Sequence, residues 1–555
     1  MIRSRGRIGP ALLLGAWCLF LLLFVACPLA ALLVKAFENR EGDWVGPANF
    51  VAFFASESLV DAALHSLFVA ALTTAITLLL AFPFAYGLTR TAMPGKALFK
   101  ALAQIPLLAP SLLPALSLVY LFGNKGLLRG AMMGHSLYGP IGIVIASVFA
   151  AFPQAVLILV TALSVADARL HESARAMGAG PLRRFLTVTL PGAQYGVVSA
   201  AFVVFIGVIS DFGVPIVLGG HYPVLATEVF EQVVGLQDFG MGAVVGMALL
   251  LPVSLAILAE KWSAARQKAL LSARATVLRP TRDAAADSAA FLFCAVVVLL
   301  LLGIVAMGGF VSVITFWPYN LHLTWRNFAF ARFDSAGWDS FANSLALAGW
   351  TALCGTALTF VGAYLTEKPS GFDRLKSWLR LLAMVPMGVP GMVLGLCYIF
   401  FFNHPANPLS GLYGTLAILV LSSCVHFYSV GHLTASTALK QLDRDFEAVS
   451  ASLRVPLWRT FWRITVPLCL PAILDIALYL FVNAMTTVSA VVFLYTPETK
   501  PASVAILNME ESGTVAAAAA MCMVIFCSSA VVRGLHMAVE RILLRLTQRW
   551  RSVPR

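Results

Sequence analysis

The sequence predicts an all-α polytopic membrane protein of about 12 transmembrane helices, arranged as two parallel six-helix repeats. Three observations carry that prediction. Of the 555 residues, 60% are hydrophobic and only 12% are charged, about half the charged share of a soluble domain. Apolar runs such as ALLLGAWCLFLLLFVACPLAALLV (11–34) and FLFCAVVVLLLLGIVAMGGFVSVITF (291–316) exceed the roughly 20 residues that cross a bilayer. A spanning segment must satisfy its own backbone groups, which makes helix the default. Finally, the two halves of the chain repeat one another at a nearly constant offset.

Taken in order, the apolar runs place spans near 10–36, 61–89, 98–122, 140–165, 192–218 and 240–260, then near 289–316, 340–366, 378–402, 411–435, 468–495 and 514–536. The first run follows Arg3, Arg5 and Arg7 but is about twice the length of a signal-peptide core, so it reads as a retained anchor. Prolines inside the spans (Pro83, Pro106, Pro110, Pro114, Pro153, Pro386 and Pro390) are tolerable where neighbouring helices re-satisfy the freed carbonyls. If the N-terminus is cytoplasmic, cytoplasmic segments hold 31 of the 38 Lys and Arg. That skew is a positive-inside signal. It makes the +12 net charge a topological effect, with no need for a nucleic-acid partner. The nine cysteines all lie in apolar runs, without a CxxC pair, and read as small core residues.

The repeat is explicit in the residues. HSLFVAALTTAITLLLAFPFAYGLT (65–89) resembles NSLALAGWTALCGTALTFVGAYLT (343–366), aligning Ser66 with Ser344 and Tyr86 with Tyr364, while PLLAPSLLPAL (106–116) resembles PMGVPGMVLGL (386–396). Asp167, Phe185 and Pro191 recur as Asp443, Phe461 and Pro467. An even number of spans between copies makes the repeats parallel. The predicted organisation is a first repeat at 1–262, a basic cytoplasmic linker at 263–288 and a second repeat at 289–555.

Between spans four and five, on the arginine-rich side, stands HESARAMGAGPLRRFLTVTLP (171–191). Leu170, Ala174 and Met177 share one face of a short helix. Glu172 and Arg175 are surface neighbours on it, and Gly178, Gly180 and Pro181 end it. An amphipathic piece then leads to Pro191, expected to open the fifth span. A solvated loop would look similar, but the related EAVSASLRVPLWRTFWRITVP (447–467) occupies the matching place in the other half.

Glu172, Ala174, Gly178 and Leu190–Pro191 fit the EAA…G…LP signature, and the chain resembles permease subunits of binding-protein-dependent ABC importers. The resemblance implies that each cassette is a cytoplasmic coupling helix docking in an ATPase subunit. In the second copy Glu447 lies one place early, Arg454 stands at the Gly178 position and Pro467 matches Pro191, so docking there is expected to differ. It also implies two cytoplasmic ABC ATPase subunits, an external or periplasmic substrate-binding protein, a bacterial inner-membrane location and cytoplasmic termini. No GxxxxGK[ST] occurs, so this chain is expected to bind no ATP or other cofactor, and to be no enzyme.

For the pathway the candidates are Asp211, in VISDFGVPIVLGG (208–220), and Asn483 and Thr487 in the matching VNAMTTVSAVVFLY (482–495). A carboxylate in an apolar segment is a functional candidate. Capping a helix near the interface is the competing role for Asp211. Asp475 is a second acidic candidate, and His426 and His432, six apart, read as core residues. Among fused two-repeat permeases, 491–525 most resembles those for 2-aminoethylphosphonate, which makes that the expected cargo; 210–220 resembles the ferric type, so ferric iron is the alternative, with thiamine a further one. A 12-helix secondary transporter is the rival of another class. It would call for more ionisable groups within the spans than Asp211 and Asp475. A channel leaves the duplicated cassette unexplained.

Overall fold

The computed structural model describes residues 2–165, 168–268, 282–369, 371–443, 445–453 and 455–547. Among these, nine helices are long and apolar enough to cross a membrane, or 12 when each of three sharply bent helix pairs is counted as one span. In the first half they are α1 (Ala11–Lys35), α2 (Glu57–Arg90), α3 (Lys96–Leu108 and Leu112–Phe122), α4 (Pro140–Ser164), α5 (Pro181–Ile209) and α6 (Phe239–Trp262). The second half repeats them as α7 (Ala284–Ser312), α8 (Asp339–Glu367), α9 (Asp373–Gly388 and Gly391–Phe402), α10 (Leu416–His426 and Tyr428–Gln441), α11 (Leu457–Thr486) and α12 (Val515–Leu543). The seventh span begins inside the stretch assigned to the linker, because Asp283 caps it by accepting from the Ala285 and Ala286 N–H groups. Asp167 and half of the basic linker, residues 269–281, lie outside the described residues.

Prolines shape the helices in two ways that differ from expectation. First, α3 and α9 are broken, bending by 98° and 111°. Ala109 before Pro110 and Val389 before Pro390 are both extended, as the ring of a following proline demands. Second, Pro191 and Pro467 do not open their spans. The helices start earlier, at Pro181 and Leu457, and absorb each proline with a π-turn just before it. There the Leu190 N–H donates to the Phe185 carbonyl and the Val466 N–H to that of Phe461. A wider turn relieves the clash and lost donor that a helical proline imposes. Both spans consequently end well short of the predicted 218 and 495.

The repeated residues hold equivalent joints. The Leu225 N–H donates to Ser66 Oγ and the Ala502 N–H to Ser344 Oγ, each at 2.8 Å. Tyr86 and Phe185 pack edge to face at 6.0 Å, and Tyr364 and Phe461 at 4.8 Å. A pair that sequence comparison missed lies in the loops after α1 and α7. Asn49 Nδ2 donates to the Ala36 carbonyl at 3.0 Å, and Asn327 Nδ2 to that of Ile314 at 2.7 Å. The second of these loops also forms a two-stranded antiparallel hairpin, Ile314–Phe316 with Asn320–Leu323, a small departure from the all-helical expectation.

The halves are interlocked through their first helices. The end of α1 packs on the Gly391–Phe402 piece of α9, and α7 packs on α2 and the Leu112–Phe122 piece of α3. In one such contact the Tyr398 hydroxyl of α9 donates to the Phe24 carbonyl of α1 at 2.9 Å. Each sequence repeat therefore completes its packing with a helix from the other.

Candidate functional site

The two breaks, in α3 and α9, face one another across a cavity of about 420 Å³ between the halves. Its floor and walls come from Pro106, Ala109 and Ser111 of one break and Pro386, Val389 and Gly391 of the other. The ends of α5 and α11 supply Ser210, Asp211, Asn483, Thr486 and Thr487, and α4 adds Ser147 and Gln154. The cavity thus brings together Asp211, Asn483 and Thr487. Asp211 is its one carboxylate, and no Lys or Arg is among the lining residues.

Asp211 lies just beyond α5, in the break before a short helix, Gly213–Leu218. Its carboxylate accepts from the Gly213 and Val214 N–H groups at 3.2 and 3.3 Å. It thus caps the short helix and borders the cavity. Asn483 Nδ2 is occupied by the Tyr479 carbonyl at 2.7 Å, and the Thr487 N–H donates to the Asn483 carbonyl at 2.9 Å.

Small residues let the breaks meet these segments. A Cβ on Gly213 would stand 2.2 Å from Ser111 Oγ, and one on Gly391 would stand 2.2 Å from Ser489 Oγ. Ser111 and Gly391 are equivalent in the repeat, as are Gly213 and Ser489. The two halves therefore use the same serine–glycine contact with the partners exchanged.

Two further placements differ from expectation. Asp475 does not line the cavity; it is 56% exposed and pairs with His536 Nε2 at 3.3 Å. His426, taken as a core residue, lines the cavity at the bend of α10. His432 is the core histidine, with Nδ1 3.0 Å from the Tyr428 hydroxyl.

The first cassette forms a helix over Ala168–Ala176. Gly178 adopts φ +77° with nothing near its absent Cβ, a left-handed conformation that favours glycine. The Ala179 N–H closes the turn on the Ala174 carbonyl at 3.0 Å. Glu172 is exposed and Ala174 buried. The expected apolar face is not a packed one: Leu170 is 61% and Met177 80% exposed, and Leu182 and Leu186 are exposed beside them. Leu190 and Pro191 sit within α5, behind the π-turn.

The second cassette helix is Asp445–Ser452. Its turn closes in the same way, the Val455 N–H donating to the Ser450 carbonyl at 2.8 Å. Arg454 lies outside the described residues. Glu447 turns inward, where Lys368 Nζ meets its carboxylate at 3.0 Å, with both side chains largely buried. Pro467 lies in the first turn of the helix after its π-turn, as Pro191 does.

With this geometry in hand, comparison with known proteins is direct. The ferric transport system permease protein FbpB of Actinobacillus pleuropneumoniae is 28% identical over 526 residues, covering 91% of this chain and 75% of that one. A Haemophilus influenzae protein put forward as ferric transport system permease FbpB 1 is 29% identical over 501 residues, covering 87% and 78%. A Salmonella paratyphi A protein put forward as the 2-aminoethylphosphonate permease PhnV is 29% identical over 214 residues, 39% of this chain and 78% of that one. Residues 78–313 and 359–544 both match the family described as the inner membrane component of binding-protein-dependent transport systems. The chain is a multi-span helical membrane protein, a permease of an ABC importer with two family repeats, and it belongs to that family.

Proposed function

We propose that this chain carries ferric iron across the bacterial inner membrane through the cavity between the two broken helices. The observation that carries this reading is the chemistry of the lining, one carboxylate with hydroxyl and amide groups and neither Lys nor Arg. The phosphonate end of a zwitterionic aminoethylphosphonate would sit beside a carboxylate with no Lys or Arg to answer it, whereas a hard cation favours oxygen ligands. The ferric relatives match most of the chain, which supports the same choice. The 2-aminoethylphosphonate reading keeps the support of a relative matching 39% of it. Asp211, Asn483 and Thr487 then form part of the pathway.

In this reading both cassettes face the cytoplasm, as do the termini, and each docks in one of two ATPase subunits that bind the ATP. A substrate-binding protein delivers the cargo on the opposite face. The chain itself is passive and binds no cofactor. Glu172, Ala174, Gly178, Leu190 and Pro191 make the first coupling site, and the exposed Leu170, Met177 and Leu182 supply the apolar surface for docking. Glu447, Arg454 and Pro467 belong to the second. Its Glu447 is held by Lys368, so the two sites present different charges. The first repeat runs over 1–262 and the second from the start of α7 onward, joined by a cytoplasmic linker.

The test is uptake into proteoliposomes holding this chain, its ATPase and its binding protein, offered radiolabelled ferric iron or 2-aminoethylphosphonate. Iron accumulation that falls more than tenfold in Asp211→Asn supports the reading, since Asn keeps an oxygen for the helix cap. Accumulation of the phosphonate instead overturns it.

A further inference from the structure

A second pocket, of about 310 Å³, lies where the ends of α2 and α4 meet the start of α3. Arg90, Lys96 and Lys100 line it together with the apolar Leu88, Val160 and Leu163, and no carboxylate does. Arg90 spends one nitrogen on the Leu163 carbonyl at 2.8 Å, while its buried Nε has no partner. Lys96 Nζ donates to the Thr91 carbonyl. Asp287 of α7 acts electrostatically on Lys96 and accepts from the Ala92 N–H at 2.7 Å.

Behind the pocket the positive charge deepens. His171 of the cassette helix lies close to Arg90 and Arg184; burial first, then those two guanidinium groups, push its imidazole pKa down. Its Nε2 and the Arg184 Nε are also buried without a partner. Among the described residues none of these five basic side chains belongs to an ion pair.

The other half shows what this position ordinarily receives. Lys368 stands where Arg90 does, and Glu447 stands where His171 does. There the cation is answered by an internal carboxylate 3.0 Å away. In the first half histidine stands in place of that carboxylate, and among the described residues no carboxylate pairs with Arg90.

We propose that this pocket binds a phosphate-bearing anion, supplied either by the headgroup of an acidic phospholipid or by free phosphate, with Arg90, Lys96 and Lys100 as its ligands. A guanidinium with free N–H groups suits phosphate, and basic pockets between membrane helices suit acidic headgroups. The apolar walls of Leu88, Val160 and Leu163 would accept the start of an acyl chain. The site is separate from the central cavity and does not depend on the identity of the cargo.

The experiment is native mass spectrometry of the full chain, purified in a non-ionic detergent, with phosphatidylglycerol, phosphatidylcholine or inorganic phosphate added. The expected result is preferential retention of phosphatidylglycerol. Retention should weaken about fivefold for each charge removed in Arg90→Gln, Lys96→Gln and Lys100→Gln, the factor for one basic group at a lipid surface. Arg90→Lys should retain the anion. Arg374→Gln, at an exposed position of α9 in the other half, should change nothing. His171→Glu, which restores the carboxylate seen in the second half, should expel the anion while leaving the apparent melting temperature unchanged or raised. Binding of inorganic phosphate without a lipid preference supports the same site with a soluble source. Equal retention of the two lipids with no phosphate bound overturns the proposal, as does wild-type retention by the triple glutamine variant.

Discussion

The exchanged serine–glycine contacts at the two breaks make a sharp test of how the halves close on the cavity. In Gly213→Ser the new Cβ would stand 2.2 Å from Ser111 Oγ and 3.2 Å from Ser111 Cβ. Rotating the Ser111 hydroxyl away relieves the first contact but not the second, so backbone must shift. Overpacking of this kind costs about 1–3 kcal/mol. The double variant Gly213→Ser/Ser111→Gly rebuilds in the first half the arrangement that Ser489 and Gly391 make in the second. It should recover at least about 1 kcal/mol of the loss, within the usual coupling range for residues in contact. The assay is the apparent melting temperature of the purified chain in detergent, followed by tryptophan fluorescence, for wild type, both single variants and the double. Ser111→Gly alone should cost less than Gly213→Ser, since it only opens space. Two results would refute the reasoning: Gly213→Ser as stable as wild type, or a double variant no better than the single.

Other outcomes follow from the paired joints and the cassette. Ser66→Ala strands the buried Leu225 N–H, and Ser344→Ala does the same to that of Ala502. Each should cost about 1–3 kcal/mol, measured as matching drops in melting temperature, and Cys substitution should behave no better than Ala. Lys368→Met leaves Glu447 facing an apolar neighbour. It should destabilise by about 3–5 kcal/mol, and Lys368→Met/Glu447→Gln should restore most of the loss, as judged by urea titration of the detergent-solubilised chain.

Much of this architecture was legible in the sequence, because hydropathy and charge are local properties. The 12 spans, the two family repeats and the place of each cassette needed only apolar length and motif recurrence. Ser66/Ser344 and Tyr86/Tyr364 stood out as matches, and both pairs hold equivalent joints. Span ends were less legible. A proline reads as a helix start or a tolerated defect, and nothing local distinguishes the π-turns before Pro191 and Pro467 from the full breaks at Pro110 and Pro390. Which helix packs on which was not encoded in any periodicity, so the exchange of α1 and α7 between halves was invisible.

The serine–glycine contacts were hidden for a different reason. Aligned one position at a time, Ser111 against Gly391 and Gly213 against Ser489 look like two losses of repeat identity, and only their contact shows that each compensates the other. Asp475 and His426 were misjudged because side-chain chemistry says nothing about the direction a residue faces. Asp475 is on an exposed helix face against His536, whereas His426 borders the cavity. Spacing alone put Leu170 and Met177 on one face with Ala174. It could not say that the face would be open.

In the proposed function this chain is a passive pathway moved by ATP hydrolysis on partners that dock at the cassettes. The most direct measurement is cargo accumulation in proteoliposomes with ATP on the cassette side and all ion gradients collapsed. Wild type is predicted to accumulate cargo only when ATPase, binding protein and ATP are all present. Gly178→Arg is predicted to lose most of that uptake while remaining folded, because φ +77° at an exposed turn costs an L-residue only about 1–2 kcal/mol. Accumulation by the chain alone under a proton or sodium gradient, or full ATP-driven uptake by Gly178→Arg, would contradict the account.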